Sequence, residues 1–275
     1  MLIYSFLNWV LPVPQLHAVI SSLHKQHYWQ PVSHYRFAAK DIYAPLTINE
    51  FKRAATVCPI LFLKKDGIYQ PVMLQGLDNQ QNLLVNDSGQ WIASYVPAYY
   101  RSHPFAFAKN EAGHSVLSFY HDSEFVDTYY THGSAAHPFF DGTTLSAKTE
   151  EICDFLIKIE SNWLTTKAVC ESLQKMDLFR PWSFSAVMGE EKRQISGLHC
   201  IDETKLRALH GDALYELQST DALRAIYSHL LSTQLTDRLS ELYQSRRSQR
   251  DAPADSVSPD LLSCVRDNGL IDLDL

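Results

Sequence analysis

The strongest constraint in this chain is an apolar stripe between residues 147 and 176. Ile152, Phe155, Leu156, Ile159, Trp163, Cys170 and Leu173 fall on or near one helix face. Ser146 stands where an N-cap belongs, and Glu150 and Glu151 bring negative charge to the opening turns, where it complements the helix dipole. A helix of this length with one apolar side has to bury that side, and the spacing predicts that it packs across a sheet.

The first half of the chain supplies the strand candidates. Pro59 to Leu63 is a compact apolar run, Lys65-Asp66-Gly67 reads as a tight turn, and Ile68 to Leu74 is the return strand. Phe105 to Ala108 and Ser115 to Tyr120 predict a second hairpin around Asn110-Glu111-Ala112-Gly113. Arg36 to Ala39, Pro45 to Ile48 and Leu83 to Val85 are shorter strand candidates, with a turn at residues 86–89 and one or two helical turns over Asn49 to Ala55. Near the start, Leu16, Val19, Ile20 and Leu23 fall at the spacing of a short helix face. Residues 121–146 have no clean period and predict a long loop with a turn at Asp141-Gly142. Trp182 to Val187 and Gln194 to Ile201 are further strands, residues 202–245 are helical, and the tail from Arg246 lacks an apolar period and predicts disorder. The fold class is α+β, with a mixed or antiparallel sheet in the N-terminal half packed by the long helix and a C-terminal helical portion. Three segments result: 1–30 apolar and helical, 31–245 the α+β domain, and 246–275 a flexible tail.

At 275 residues the chain makes one large domain or two small ones and needs no disulfide or metal staple. A formal charge of -7 argues against nucleic acid, which asks for a basic stripe; Arg246, Arg247 and Arg250 are offset by Asp267, Asp272 and Asp274. The five cysteines, Cys58, Cys153, Cys170, Cys200 and Cys264, form no C-x-x-C pair and read as buried thiols in a reducing compartment. Residues 1–13 are mostly apolar, but no Lys or Arg appears before Lys25 and the run is broken by Asn8 and Pro12, so the reading is a cytoplasmic protein with no transmembrane segment.

None of the common phosphate-loop, dinucleotide, zincin or hydrolase motifs occurs. The aromatic and basic stretch from Trp91 to Phe105 is the best candidate ligand site. Trp91, Tyr95, Tyr99 and Tyr100 can line a groove, Arg101 can clamp a carboxylate or phosphate, and His103 lies beside them. The plainer reading makes these residues core aromatics, with Arg101 satisfying carbonyls or an internal carboxylate. His103, His114, His121, His132 and His137, with Asp122, Glu124, Asp127 and Asp141 nearby, match no closed zinc spacing; His132 and His137 form the one pair worth testing, and no metal or cofactor is expected. Cys58, ahead of Pro59, reads as buried and inert, and His229, among apolar helix neighbours, as a satisfied core histidine.

The runs Tyr43-Ala44-Pro45-Leu46-Thr47, Cys58-Pro59-Ile60-Leu61-Phe62, Pro71-Val72-Met73-Leu74-Gln75-Gly76-Leu77, Tyr95-Val96-Pro97-Ala98-Tyr99-Tyr100-Arg101 with His103-Pro104-Phe105, and Ile226-Tyr227-Ser228-His229-Leu230-Leu231-Ser232 together resemble the SapC family. The resemblance spans residues 30 to 243 in order and implies a bacterial protein linked to the surface layer; it brings no catalytic residue with it. The segment from Asp122 to Gly142, acidic in such proteins, here carries Tyr129, Tyr130, His132, His137, Phe139 and Phe140, which argues against a cation site in it. The expected function is a non-catalytic binding or assembly protein acting with a bacterial cell-surface or transport system. The alternative is an enzyme or enzyme accessory handling a small polar ligand anchored by Arg101. A homodimer through the N-terminal segment or the helix of His229 is compatible with either.

Overall fold

The computed structural model describes the backbone of residues 15–78, 81–128 and 135–251, and the side chains of all but the last three of these. In chain order it opens with β1 (Leu16–Ala18), α1 (Ser21–His24), β2 (Tyr28–Trp29), β3 (Tyr43–Pro45) and α2 (Phe51–Ala54). The hairpin β4 (Ile60–Lys65) and β5 (Ile68–Leu74) follows, then α3 (Ala98–Arg101) and the hairpin β6 (Phe105–Lys109) and β7 (Ser115–Tyr120). Four two-residue strands come next: β8 (Val126–Asp127), β9 (His137–Pro138), β10 (Phe140–Asp141) and β11 (Thr144–Leu145). The remainder holds α4 (Ala147–Lys175), β12 (Phe179–Met188), β13 (Glu191–Ile201), α5 (Glu203–Arg207), α6 (Asp212–Ser219), α7 (Ala222–Ser232) and α8 (Thr236–Asp251). Among the described residues no helix is long and apolar enough to cross a membrane.

These elements form two compact units, residues 15–33 with 98–161, and residues 34–97 with 162–251. In the first unit the order β1-β7-β6 makes one small antiparallel sheet and β8-β2-β9 another. Phe105, Phe119, Phe139 and Phe155 are fully buried here. The start of α4 is fixed as expected: Ser146 Oγ accepts the Thr149 amide at 3.3 Å, and the Trp29 indole donates to the Thr149 hydroxyl at 3.0 Å.

The second unit is built on a five-stranded antiparallel sheet, β12-β13-β4-β5-β3. The β4–β5 turn has both central residues at positive φ, Asp66 at 51° and Gly67 at 81°, the backbone that matches the right-handed twist of the strands it joins. Phe51, Ile60, Leu61, Met73 and Leu74 form its core, and each large side chain of this kind contributes about 1.5–3 kcal/mol by leaving water. In its second half α4 buries Val169, Cys170 and Leu173, and Gln174 donates to the Gly67 carbonyl at 3.0 Å.

The structure departs from several sequence expectations. Leu16 to Ala18 are a strand, because the free edge of β7 offers backbone partners that a short isolated helix would lack; Ile20 and Leu23 are exposed as a result. Arg36 to Ala38 form a 3-10 turn rather than a strand. The strand expected over Pro45 to Ile48 ends at Pro45, because Glu50 folds its carboxylate back onto the Thr47 amide (2.8 Å) and hydroxyl (2.9 Å) and starts a helical turn. Leu83 to Val85 make a single bridge, Val85 to Trp91. The supposed loop over 121–146 contains β8 to β11, with the expected turn between Asp141 and Thr144. The main sheet is not confined to the first half of the chain, since β12 and β13 come from the second. Helix α8 runs past Arg246 to Asp251; the rest of the tail and the apolar residues 1–13 lie outside the described residues.

Candidate functional site

The stretch from Trp91 to Phe105 is divided by the boundary between the units after Pro97. On the second unit, the Trp91 indole donates to the Tyr95 carbonyl at 2.8 Å and its ring meets Tyr35 at 5.5 Å. Tyr95 is buried, and its hydroxyl donates to Glu50 at 2.7 Å, so the carboxylate that ends β3 is also the partner of a candidate ligand residue. On the first unit, α3 carries Tyr99, Tyr100 and Arg101. Tyr100 is fully buried and packs on Tyr99 at 5.3 Å. The Arg101 guanidinium lies 5.1 Å from the Phe155 ring centroid, a cation–π contact in a buried setting. His103 stacks on Tyr120 at 4.9 Å and meets Phe125 edge to face. Trp91 and Tyr99 are half-buried; the other four candidates are buried.

His103 Nε2 lies 2.9 Å from Ser123 Oγ, the geometry of a base beside a hydroxyl nucleophile. Burial pushes this imidazole down to about 3, so it holds a proton too weakly to be an effective base near neutrality. A second polar cluster joins Lys109 to Glu160 at 2.7 Å, with Ser115 Oγ donating to the same carboxylate at 2.6 Å. Burial raises Glu160, and the hydrogen bonds from Lys109 and Ser115 and the Lys109 charge outweigh it and hold the carboxyl below its usual value. A carboxylate so stabilised ties the β6–β7 hairpin to α4 and is a weak proton acceptor.

His229 is the satisfied core histidine that its apolar neighbours predict. Nε2 accepts the Ile201 amide at 3.1 Å, which leaves the proton on Nδ1 to be donated to the Ile60 carbonyl at 2.7 Å. The β4–β13 ladder pairs Phe62 with His199 and Leu63 with Leu198. Continuing that register would bring Ile60 opposite Ile201, and the imidazole bridges those two residues instead. Ser232, one turn later, accepts the Ile60 amide at 2.9 Å, so α7 satisfies both backbone groups of one core residue.

The loop histidines do not converge. His103 and His121 sit in different contacts, His114 is exposed, His137 packs on Trp29 at 5.1 Å, and His132 lies outside the described residues. Among the described residues no group of three or more His, Cys, Asp or Glu is arranged to hold a metal ion. Cys58 and Cys170 are buried, and burial pushes each thiol up to about 12, which removes the nucleophilic thiolate. What the sequence reading missed is a meeting of His17, His24 and His27 around Phe119, with His121 stacked on His17. No local spacing announces it, because its members lie about a hundred positions apart and join only through β1–β7 pairing.

No curated protein and no solved structure is significantly similar to this chain. A family model described as SapC matches residues 20–239, well over half of the length, and the chain therefore belongs to the SapC family.

Proposed function

We propose that the chain is a non-catalytic binding or assembly protein of the cytoplasm, working with a bacterial cell-surface or transport system through a protein contact. The observation that carries this reading is the use made of the side chains. His229 and Glu50 bond to backbone inside the second unit, and Cys58 and Cys170 are buried. Helix α7 meanwhile leaves Tyr227 and Leu231 in water, 56% and 67% exposed. They lie one turn apart, and at 100° per residue both point away from the His229 side. An exposed aromatic–aliphatic pair on an otherwise anchored helix suits contact with another protein, a second copy of the chain included. Half-buried Trp91 and Tyr99 are the further contact candidates.

The test is a photoreactive residue at position 227 in cells, with the exposed position 192 as control. A discrete adduct at 227, absent at 192 and abolished by Leu231→Asp, is the expected result; twice the chain mass identifies a homodimer. No adduct at 227 overturns the reading. A second reading keeps Arg101 as anchor for a small polar ligand, favoured by the buried guanidinium over Phe155. Saturable thermal stabilisation by one member of a panel of nucleotides, sugars, amino acids and short peptides, lost in Arg101→Ala, would establish it.

A further inference from the structure

Four imidazoles from two distant stretches meet in the first unit. His17 on β1 stacks on His121, the residue after β7, with centroids 4.2 Å apart and planes at 15°. His24 and His27 meet edge to face at 4.8 Å. Phe119 lies beneath them, 5.1 Å from His24 and 6.0 Å from both His17 and His27. His24 is buried, His27 half-buried, and His17 and His121 are exposed. Uncharged, these rings pack as aromatics. Charged, they repel at close range over an apolar floor.

Lys25 lies at the end of α1, and Asp122 and Glu124 follow His121; all three are exposed. Burial lowers His24 first, and His27 and His17 add to it; burial lowers His27, and His121 adds to it. His24 also spends its Nδ1 lone pair on the Ile20 amide at 3.0 Å, so a second proton on that ring displaces the bond that starts α1. No carboxylate is among the causes that shift either ring.

The segment these rings hold is an edge. Strand β1 pairs with β7 through Leu16 to Tyr120, His17 to Phe119 and Ala18 to Ser118. The Val19 amide donates to the Leu117 carbonyl at 2.8 Å, and the His121 amide to the Gln15 carbonyl at 3.0 Å. Nothing pairs with the other side of β1 among the described residues. The ladder is three residues long, and on β1 only Leu16 is buried, against Ala106 and Ala108, so it opens locally at lower cost than the longer ladders of the five-stranded sheet.

We propose that residues 15–27 form an acid-released clip, in which neutral His24 and His27, packed on Phe119, seal β1 onto β7 and their protonation drives the clip off, uncovering the β7 edge and Phe119. The sign is that of bases lowered by folding. The clip's stabilisation is complete above the ordinary histidine value of 6.5 and is lost as pH falls below it, because only the released clip takes up protons freely. Release of an edge strand exposes unpaired backbone, the template on which another strand can add.

Hydrogen exchange by mass spectrometry on the full chain, near pH 7.5 and pH 5.5 and corrected for intrinsic rates, tests this. Peptides covering residues 16–24 are expected to lose about tenfold or more protection at the lower pH relative to β4 and β5. His24→Asn keeps an acceptor near Nδ1 and does not titrate, and should suppress that loss. Should it fail to fold, His27→Gln carries the same expectation. Equal loss across β1 and the five-stranded sheet, or a selective loss that persists in a folded variant, overturns the proposal.

Discussion

His229 makes the sharpest test of how this fold is held. Burial drives its imidazole down to about 4, the Arg180 charge works in the same direction, and the hydrogen bond to Ile60 opposes them. Unfolded, the ring returns to about 6.5. Above that pH neither state binds the proton. As pH falls from 6.5 towards 4, the unfolded chain takes it up and the folded protein does not, so stability drops. The gap amounts to about 2 kcal/mol lost through this one group between pH ~7 and pH ~5, and about 3 kcal/mol by pH ~4. His229→Gln cannot titrate. It should be less stable than the native protein near neutrality by about 1–3 kcal/mol, because one of the Ile60 carbonyl and the Ile201 amide loses its partner. Its stability should nevertheless fall less steeply with acid, so the two proteins converge by about 2 kcal/mol between pH ~7 and pH ~5 in urea unfolding followed by tryptophan fluorescence. His103, held near 3, weakens both proteins alike and cancels in the difference. Parallel stability curves would refute the argument, since the imidazole would then titrate equally in both states.

Other outcomes follow from the same geometry. Glu160→Gln removes the charge that gathers Lys109 and Ser115 and should cost about 1 kcal/mol near neutrality. Because folding lowers this carboxyl, the difference from the native protein should shrink as pH drops below 4.5 in the same urea assay, and a difference that grows there contradicts the assignment. Cys58 and Cys170 should resist iodoacetamide in the native protein and react once it is unfolded, as read by peptide mass spectrometry; labelling of either at the rate of a free thiol in the native state would show that its site opens.

Much of the local structure was legible because it depends on neighbours in the chain. The hairpin over residues 60–74 follows from two apolar runs and an Asp-Gly pair that tolerates positive φ. The helix from Ala147 to Lys175 follows from its apolar stripe and the Ser146 cap. Where a residue's partner is distant, the same reasoning misled. Leu16 and Val19 have helical spacing, but Leu16 becomes strand and Val19 bonds on beyond it because β7 is there to pair with them. The candidate residues were legible only as types: the sequence marks Tyr95 and Arg101 as able to bind, while the partners at Glu50 and Phe155 are fixed by tertiary packing.

The sequence by itself therefore determined the α+β class, the long helix, the two best hairpins and the membership that the runs from Tyr43 to Phe105 announce. Tertiary structure alone decided that His229 would bridge two strands, that β12 and β13 would complete a sheet begun more than a hundred residues earlier, and that three histidines would share one phenylalanine. The physical reason is range. Turn geometry and helix periodicity act over a few residues and are written in their order, whereas burial and ring contacts depend on which surfaces meet once the chain has closed on itself.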